Sequence, residues 1–115
     1  MKFKTQFRLR IDANRQRAIG PGKVALQEAI IETGSISAAA RKLRMSYRRA
    51  WLLMDDLNHR LHRPAVSRVK GGKKGGGSDV TATGRKLVRL YRDIERSAHA
   101  TTLPGIRALI RLLVK

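Results

Sequence analysis

From Thr33 to Met54 the basic side chains Arg41, Lys42, Arg44, Arg48 and Arg49 stand with no acid among them, and from Arg63 to Ser78 the residues Arg63, Arg68, Lys70, Lys73 and Lys74 repeat the pattern. Unmixed positive charge in two stretches suits a polyanion, because a surface built only for solubility interleaves the two signs. Ser46 can cap a helix that begins Tyr47-Arg48-Arg49. In the first turn of such a helix, arginine can bond guanine O6 and N7 as a fork, tyrosine can meet phosphate or a thymine methyl, and the free amides attract phosphate. Each arginine could equally contact phosphate alone, where half or more of protein–DNA hydrogen bonds go. The DNA-contact candidates are Ser35, Ser37, Arg41, Arg44, Ser46, Tyr47, Arg48 and Arg49, joined by Arg68, Lys70, Lys73 and Lys74 on and beside a glycine-rich loop.

Other chemistries are poorly served. His59 and His62 could share one helix face, but no third ligand stands near them, and even open zinc sites need three protein ligands. Asp55 and Asp56 are adjacent, so on a helix they diverge and form no shared carboxylate site. They are expected to repel DNA from the far end of their helix or to pair with nearby arginines. Ser35, Ser37 and Ser46 read as helix caps, since no activating base lies at a suggestive spacing. The run Gly71-Gly72-Lys73-Lys74-Gly75-Gly76-Gly77-Ser78 fails the nucleotide-loop pattern, because no lysine precedes the serine. It reads instead as a wing tip whose lysines reach a phosphate ridge or a minor groove. Neither an enzyme nor a cofactor is expected.

The elements that must position these residues follow from periodicity. Phe3 to Ile11 alternates apolar and polar residues as a half-buried strand does, and a polar link runs from Asp12 to Ile19. Gly20-Pro21-Gly22 opens a helix in which Leu26, Ala29 and Ile30 recur until Gly34. A short helix over Ser37 to Leu43 and a longer one with Ala50, Met54, Leu57 and Leu61 on one face flank a tight turn. Trp51, next to Ala50 and three residues from Met54, is expected in the core. Ala38, Ala39 and Ala40 are small enough for the paired helices to approach closely. Pro64 ends the long helix, Ala65 to Lys70 alternates again, and Asp79-Val80 is the return strand of a hairpin. Thr81 can cap a helix carrying Leu87, Leu90, Tyr91, Ile94 and Ala98 to about Thr101, where Leu103-Pro104-Gly105 should break it. Ile106, Leu109, Ile110 and Leu113 then form a last amphipathic stretch.

That order predicts a mainly α fold with a small β-hairpin wing, a winged helix-turn-helix. The divisions are 1–19 for the strand and link, 20–101 for the DNA-binding domain and 102–115 for a terminal helix. With 115 residues, 26 Lys and Arg against 8 Asp and Glu, a charge of +18 and 42% apolar residues, the chain has room for one domain with a modest core. No cysteine is present, which excludes disulfide frameworks and thiol catalysis. The first residues lack the apolar run of a signal peptide and no later stretch has the length of a membrane span, so a cytoplasmic protein without a membrane partner is expected.

The segment from Gly34 to Trp51, GSISAAARKLRMSYRRAW, resembles the DNA-binding domain of the ModE family of molybdate-responsive regulators, relatives of the LysR-type winged helix. The glycine-rich wing and Val80-Thr81-Ala82-Thr83-Gly84 look like the same family, and the likeness runs from about Gly20 to Ala98. The resemblance implies a dimer on a pseudo-palindromic operator in double-stranded DNA, with Ser46 to Arg49 as recognition residues and Lys73 and Lys74 on the wing. LysR-type sequences usually have proline where this chain has Arg48, which favours the ModE side. Regulators of this family continue into molybdate-binding domains, whereas this sequence stops at Lys115, so molybdate is not an expected ligand. A homodimer would use the helix from Arg85 to Thr101 and the Ile106 to Leu113 stretch, unless both simply pack over the first helix. The competing reading is a nonspecific nucleic-acid-binding architectural or ribosome-associated protein, for which the charge alone would suffice.

Overall fold

A computed structural model describes residues 2–69 and 77–113. Its elements run β1 (Ile11–Ala13), β2 (Gln16–Ile19), α1 (Pro21–Thr33), α2 (Ile36–Lys42), α3 (Tyr47–Arg60), β3 (Val66–Val69), β4 (Gly77–Val80) and α4 (Ala82–Arg111). Lys70, Lys73 and Lys74 lie outside the described residues. The mainly helical architecture with its β3–β4 hairpin is that of a winged helix-turn-helix.

Local signals set the helix ends. Pro21 begins α1, where its missing amide costs nothing. Gly34 ends it in the left-handed conformation, φ 83°, with its amide donating to the Ile30 carbonyl at 2.8 Å. The core is aliphatic: Leu26 and Ile30 of α1, Ala39 and Ala40 of α2, and Ala50, Met54 and Leu57 of α3 pack with Ala65, Val66 and Val80 of the hairpin. Alanine on α2 leaves no bulk between it and its neighbours, so α1, α2 and α3 close around one centre. In the hairpin, Val66 pairs with Val80 and Val69 with Gly77, so β4 starts at Gly77, earlier than the Asp79 of the periodicity reading.

Two expectations are corrected. Phe3 to Arg10 forms no strand, and β1 covers only Ile11–Ala13, pairing back onto β2 within what read as a polar link. Alternation supplies a face, but a strand also needs a partner edge. The preceding residues instead lie along α4, where the Tyr91 hydroxyl donates to the Leu9 carbonyl at 2.7 Å and Phe7 meets the His99 ring edge-on at 6.1 Å. The break at Leu103-Pro104-Gly105 is also absent, because α4 runs through Pro104 to Arg111. The proline removes one amide, and the carbonyl it would have served belongs to exposed Ala100, which water can satisfy.

Candidate nucleic-acid interface

The turn between α2 and α3 brings the basic residues together. Arg44 sits in it with φ 58°, a left-handed conformation that costs a non-glycine residue about 1–2 kcal/mol. Its amide donates to the Arg41 carbonyl at 3.2 Å and that of Met45 to the Ala40 carbonyl at 3.0 Å, which fixes the angle between the helices. Ser35 caps α2 by accepting from the Ala38 amide at 3.0 Å, and Ser46 caps α3 by accepting from the Arg49 amide at 3.1 Å. Ser37 caps nothing. Its hydroxyl accepts from the Arg41 guanidinium at 3.1 Å and holds that side chain along α2.

Arg41, Arg44, Tyr47, Arg48 and Arg49 are exposed around the capped start of α3. The ion pairs among the described residues involve Arg10, Lys23, Lys42, His59, Arg60, Arg85, Arg92 and Arg96, and none of the four arginines around that helix start. The acids are used elsewhere. Asp56 binds Arg60 and Lys23, and those two hydrogen bonds, that from Arg60 the stronger, hold its carboxyl below the usual carboxylate range. His59 Nδ1 lies 2.7 Å from the Asp55 carbonyl; that hydrogen bond, helped by the Asp55 charge, raises the imidazole above its ordinary value. Both aspartates therefore have partners on their own helix. His62 lies beyond the end of α3, and no group of three metal-ligating side chains occurs among the described residues.

The helix wheel of α3 sorts its remaining surface. Behind the buried stripe of Ala50, Met54 and Leu57, one flank carries Arg49, Leu53, Asp56 and Arg60 toward β2, and the other carries Tyr47, Trp51 and Asn58 toward the β3–β4 hairpin. Trp51 is thus not in the core: it is 41% exposed and lines a cleft of about 260 Å³ between α3, the start of α2 and the hairpin. Being next to Ala50 in sequence turns it about 100° away from the buried stripe.

Three positioning residues carried no signal strong enough to single them out. Asn58 accepts from the Ala65 and Val66 amides at 2.8 and 3.2 Å and donates to the Val66 carbonyl at 2.9 Å, which fastens the hairpin root to α3. Gly84 lets the first turn of α4 lie against the same root, where an added Cβ would clash with the Ala65 carbonyl oxygen. A glycine within a helix's first turn was the available clue. Lys23, 5% exposed, donates to the carbonyls of Arg17 and Ala18 at 3.0 Å and to Asp56, tying the β1–β2 hairpin to α1 and α3. Arg68 stands on β3 opposite Ser78, at the start of the wing. The Ser78 amide donates to the Gly34 carbonyl at 3.1 Å, so β4 and the start of the helix-turn-helix share one anchor.

No family model matches the chain. It is 39% identical over 88 residues to the molybdenum transport protein ModE of Azotobacter vinelandii, a match covering 76% of this chain and 33% of that protein. It is 47% identical over 77 residues to the molybdenum-pterin-binding protein MopB of Rhodobacter capsulatus, covering 67% and 28% of the two chains. The chain is homologous to the N-terminal part of ModE- and Mop-type proteins. It spans about a third of the length of these relatives, at their N-terminal end. The DNA-binding transcriptional dual regulator ModE of Escherichia coli K12 is 37% identical over 71 residues, 62% of this chain and 27% of that protein. Among solved structures, ArgP from Mycobacterium tuberculosis shares the fold, with a TM-score of 0.51 at 24% identity over 80% of this chain and 30% of the other. The ModE-type segment read from Gly34 to Trp51 corresponds to α2, its turn and the first five residues of α3. No helix among the described residues is long and apolar enough to cross a membrane.

Proposed function

We propose that the chain is a sequence-specific double-stranded DNA-binding transcription regulator, acting as a homodimer on a pseudo-palindromic operator. The observation that carries this reading is the cluster of exposed arginines without acid partners around the capped start of α3, in a chain whose relatives include a transcriptional regulator named for DNA binding. The α3 helix would lie in the major groove, with Tyr47, Arg48 and Arg49 against base edges or flanking phosphates. Arg41 and Arg44, on α2 and in the turn, suit the backbone, as do Arg68, Lys70, Lys73 and Lys74 of the wing, which could also reach the minor groove. Ser35 and Ser46 hold the helix starts, and Ser37 aims Arg41.

The dimer rests on α4. Tyr91 is the last of its residues to be buried, and Leu90, Ile94, Leu109, Leu112 and Leu113 on and just beyond it are between 50% and 81% exposed. An isolated helix of that length gains little from propensity alone, so a second copy of α4 is the natural cover for this apolar face. Recognition helices two-fold related in this way would be about 34 Å apart, one turn of duplex.

The test is binding to duplexes selected from a randomised library, measured over a salt series against excess nonspecific duplex. Selected duplex should survive the competitor, with affinity falling steeply as salt rises. Competition by nonspecific duplex as efficient as by unlabelled selected site would overturn specificity and leave an architectural nucleic-acid binder.

A further inference from the structure

The cleft beside α3 differs in chemistry from everything around it. Tyr47 and Trp51 lie one turn apart on the same flank and are 52% and 41% exposed, and Leu52, beside Trp51 on the outward face, is 48% exposed. Three large apolar surfaces in water on one helix are unexpected unless something apolar meets them. Among the described residues lining the cleft, the one charged side chain is the Asp55 carboxylate. A phosphate entering the cleft would meet the Asp55 carboxylate, which disfavours it there.

Of the groups a duplex shows in its major groove, the one that is apolar is the thymine 5-methyl. Guanine offers only acceptors there, which Asp55 would repel as it repels phosphate. Given the reading of α3 as the recognition helix, we infer that the cleft is a base-reading site, in which the Trp51 indole, flanked by Tyr47, packs against a thymine methyl and makes Trp51 a specificity-determining residue. Arg48 and Arg49 would supply attraction and hydrogen bonds on the basic side of the helix, while Trp51 supplies discrimination for thymine on the other.

The experiment removes the methyl. Duplexes selected by the wild-type protein are resynthesised with deoxyuridine in place of thymidine, one position at a time. Loss of one buried methyl should weaken wild-type binding roughly fourfold at a thymine in each half-site. In Trp51→Ala and, as a bulkier replacement, Trp51→Leu, the thymidine and deoxyuridine duplexes should bind alike. If no position shows a methyl effect in the wild type, or if both variants keep it, the inference is overturned. A second readout needs no variant, because Trp51 is the chain's one tryptophan. Its fluorescence should become shielded from acrylamide when selected duplex binds, and unchanged quenching would overturn the contact. A library that yields no enriched sequence would instead overturn the regulator reading of the preceding subsection, and this inference with it.

Discussion

Two short hairpins flank α3, and they are fastened to it by different chemistry. The β3–β4 hairpin is held mainly through neutral groups, the Asn58 carboxamide on the Ala65 and Val66 backbone and the close seat of Gly84 on Ala65, beside one exposed ion pair between Arg85 and Asp79. The β1–β2 hairpin is held through charges: Lys23 on the Arg17 and Ala18 carbonyls and on Asp56, and Arg60 bridging Asp56 and Gln16. Neutral hydrogen bonds ignore salt and acid, whereas ion pairs answer to both. The side proposed to carry the wing onto DNA thus has a mounting that the ionic environment of a polyanion leaves largely alone, its one ion pair being exposed and weak, and the more charge-dependent mounting lies on the opposite flank.

The comparison breaks most severely at Gly84. Replacement by alanine would gain up to about 1 kcal/mol of helix propensity but must push the Ala65 backbone away, an overpacking cost of up to about 3 kcal/mol that should dominate. Urea unfolding should show the net loss, and a stabilised Gly84→Ala protein would mean that α4 does not seat closely on the hairpin root. Asn58→Ala should cost about 2 kcal/mol, since the Ala65 and Val66 backbone groups lose their partner. That loss should be the same at low and high salt.

Asp56→Asn should cost less, about 1 kcal/mol, because the Asp56 side chain is 42% exposed and screening weakens its pull on Lys23 and Arg60. Its effect should depend on pH. A carboxyl lowered in the folded state contributes its stability above the ordinary value of 3.8 and loses it as pH falls through the lower folded value. The difference between wild type and Asp56→Asn should therefore be full at neutral pH and shrink below about pH 4, and it should also shrink in high salt. Thermal melts over pH and salt would show whether the β1–β2 side alone behaves this way.

The smallest effect lies between the two flanks, at Arg44. Glycine there relieves the left-handed strain, less the entropy it adds to the unfolded chain, and should raise stability by about 0.5 kcal/mol, while the lost cation should weaken duplex binding at low salt. Stability and affinity moving in opposite directions would mark Arg44 as strain kept for contact. Both falling together would give it a structural role only.

The helix-turn-helix was legible because its signals are local. Ser35 and Ser46 cap within three residues, Gly34 closes α1 where the chain must turn left-handed, and the apolar spacing of Ala50, Met54 and Leu57 declares a buried face. What escaped depends on distant partners. Phe3 to Arg10 alternates as a strand would, but no edge was there to receive it and α4 took its place. Pro104 reads as a break in isolation, yet it falls where α4 is open to water. Trp51 looked buried by adjacency to Ala50, although one step along a helix is a quarter turn away from the core. Asn58 and Lys23 are polar residues whose use shows only when two elements meet.

The reach of α4 also bears on how the protein would behave in solution. The described fold measures 57 × 31 × 23 Å with a radius of gyration of 17.0 Å, against about 13 Å for a compact chain of this length. So elongated a particle drags more than a sphere of its mass and would leave a sizing column early even as a single copy. An elution volume calibrated on globular standards would mimic a dimer. Mass itself, from light scattering or sedimentation equilibrium, is the quantity that can tell one copy from two.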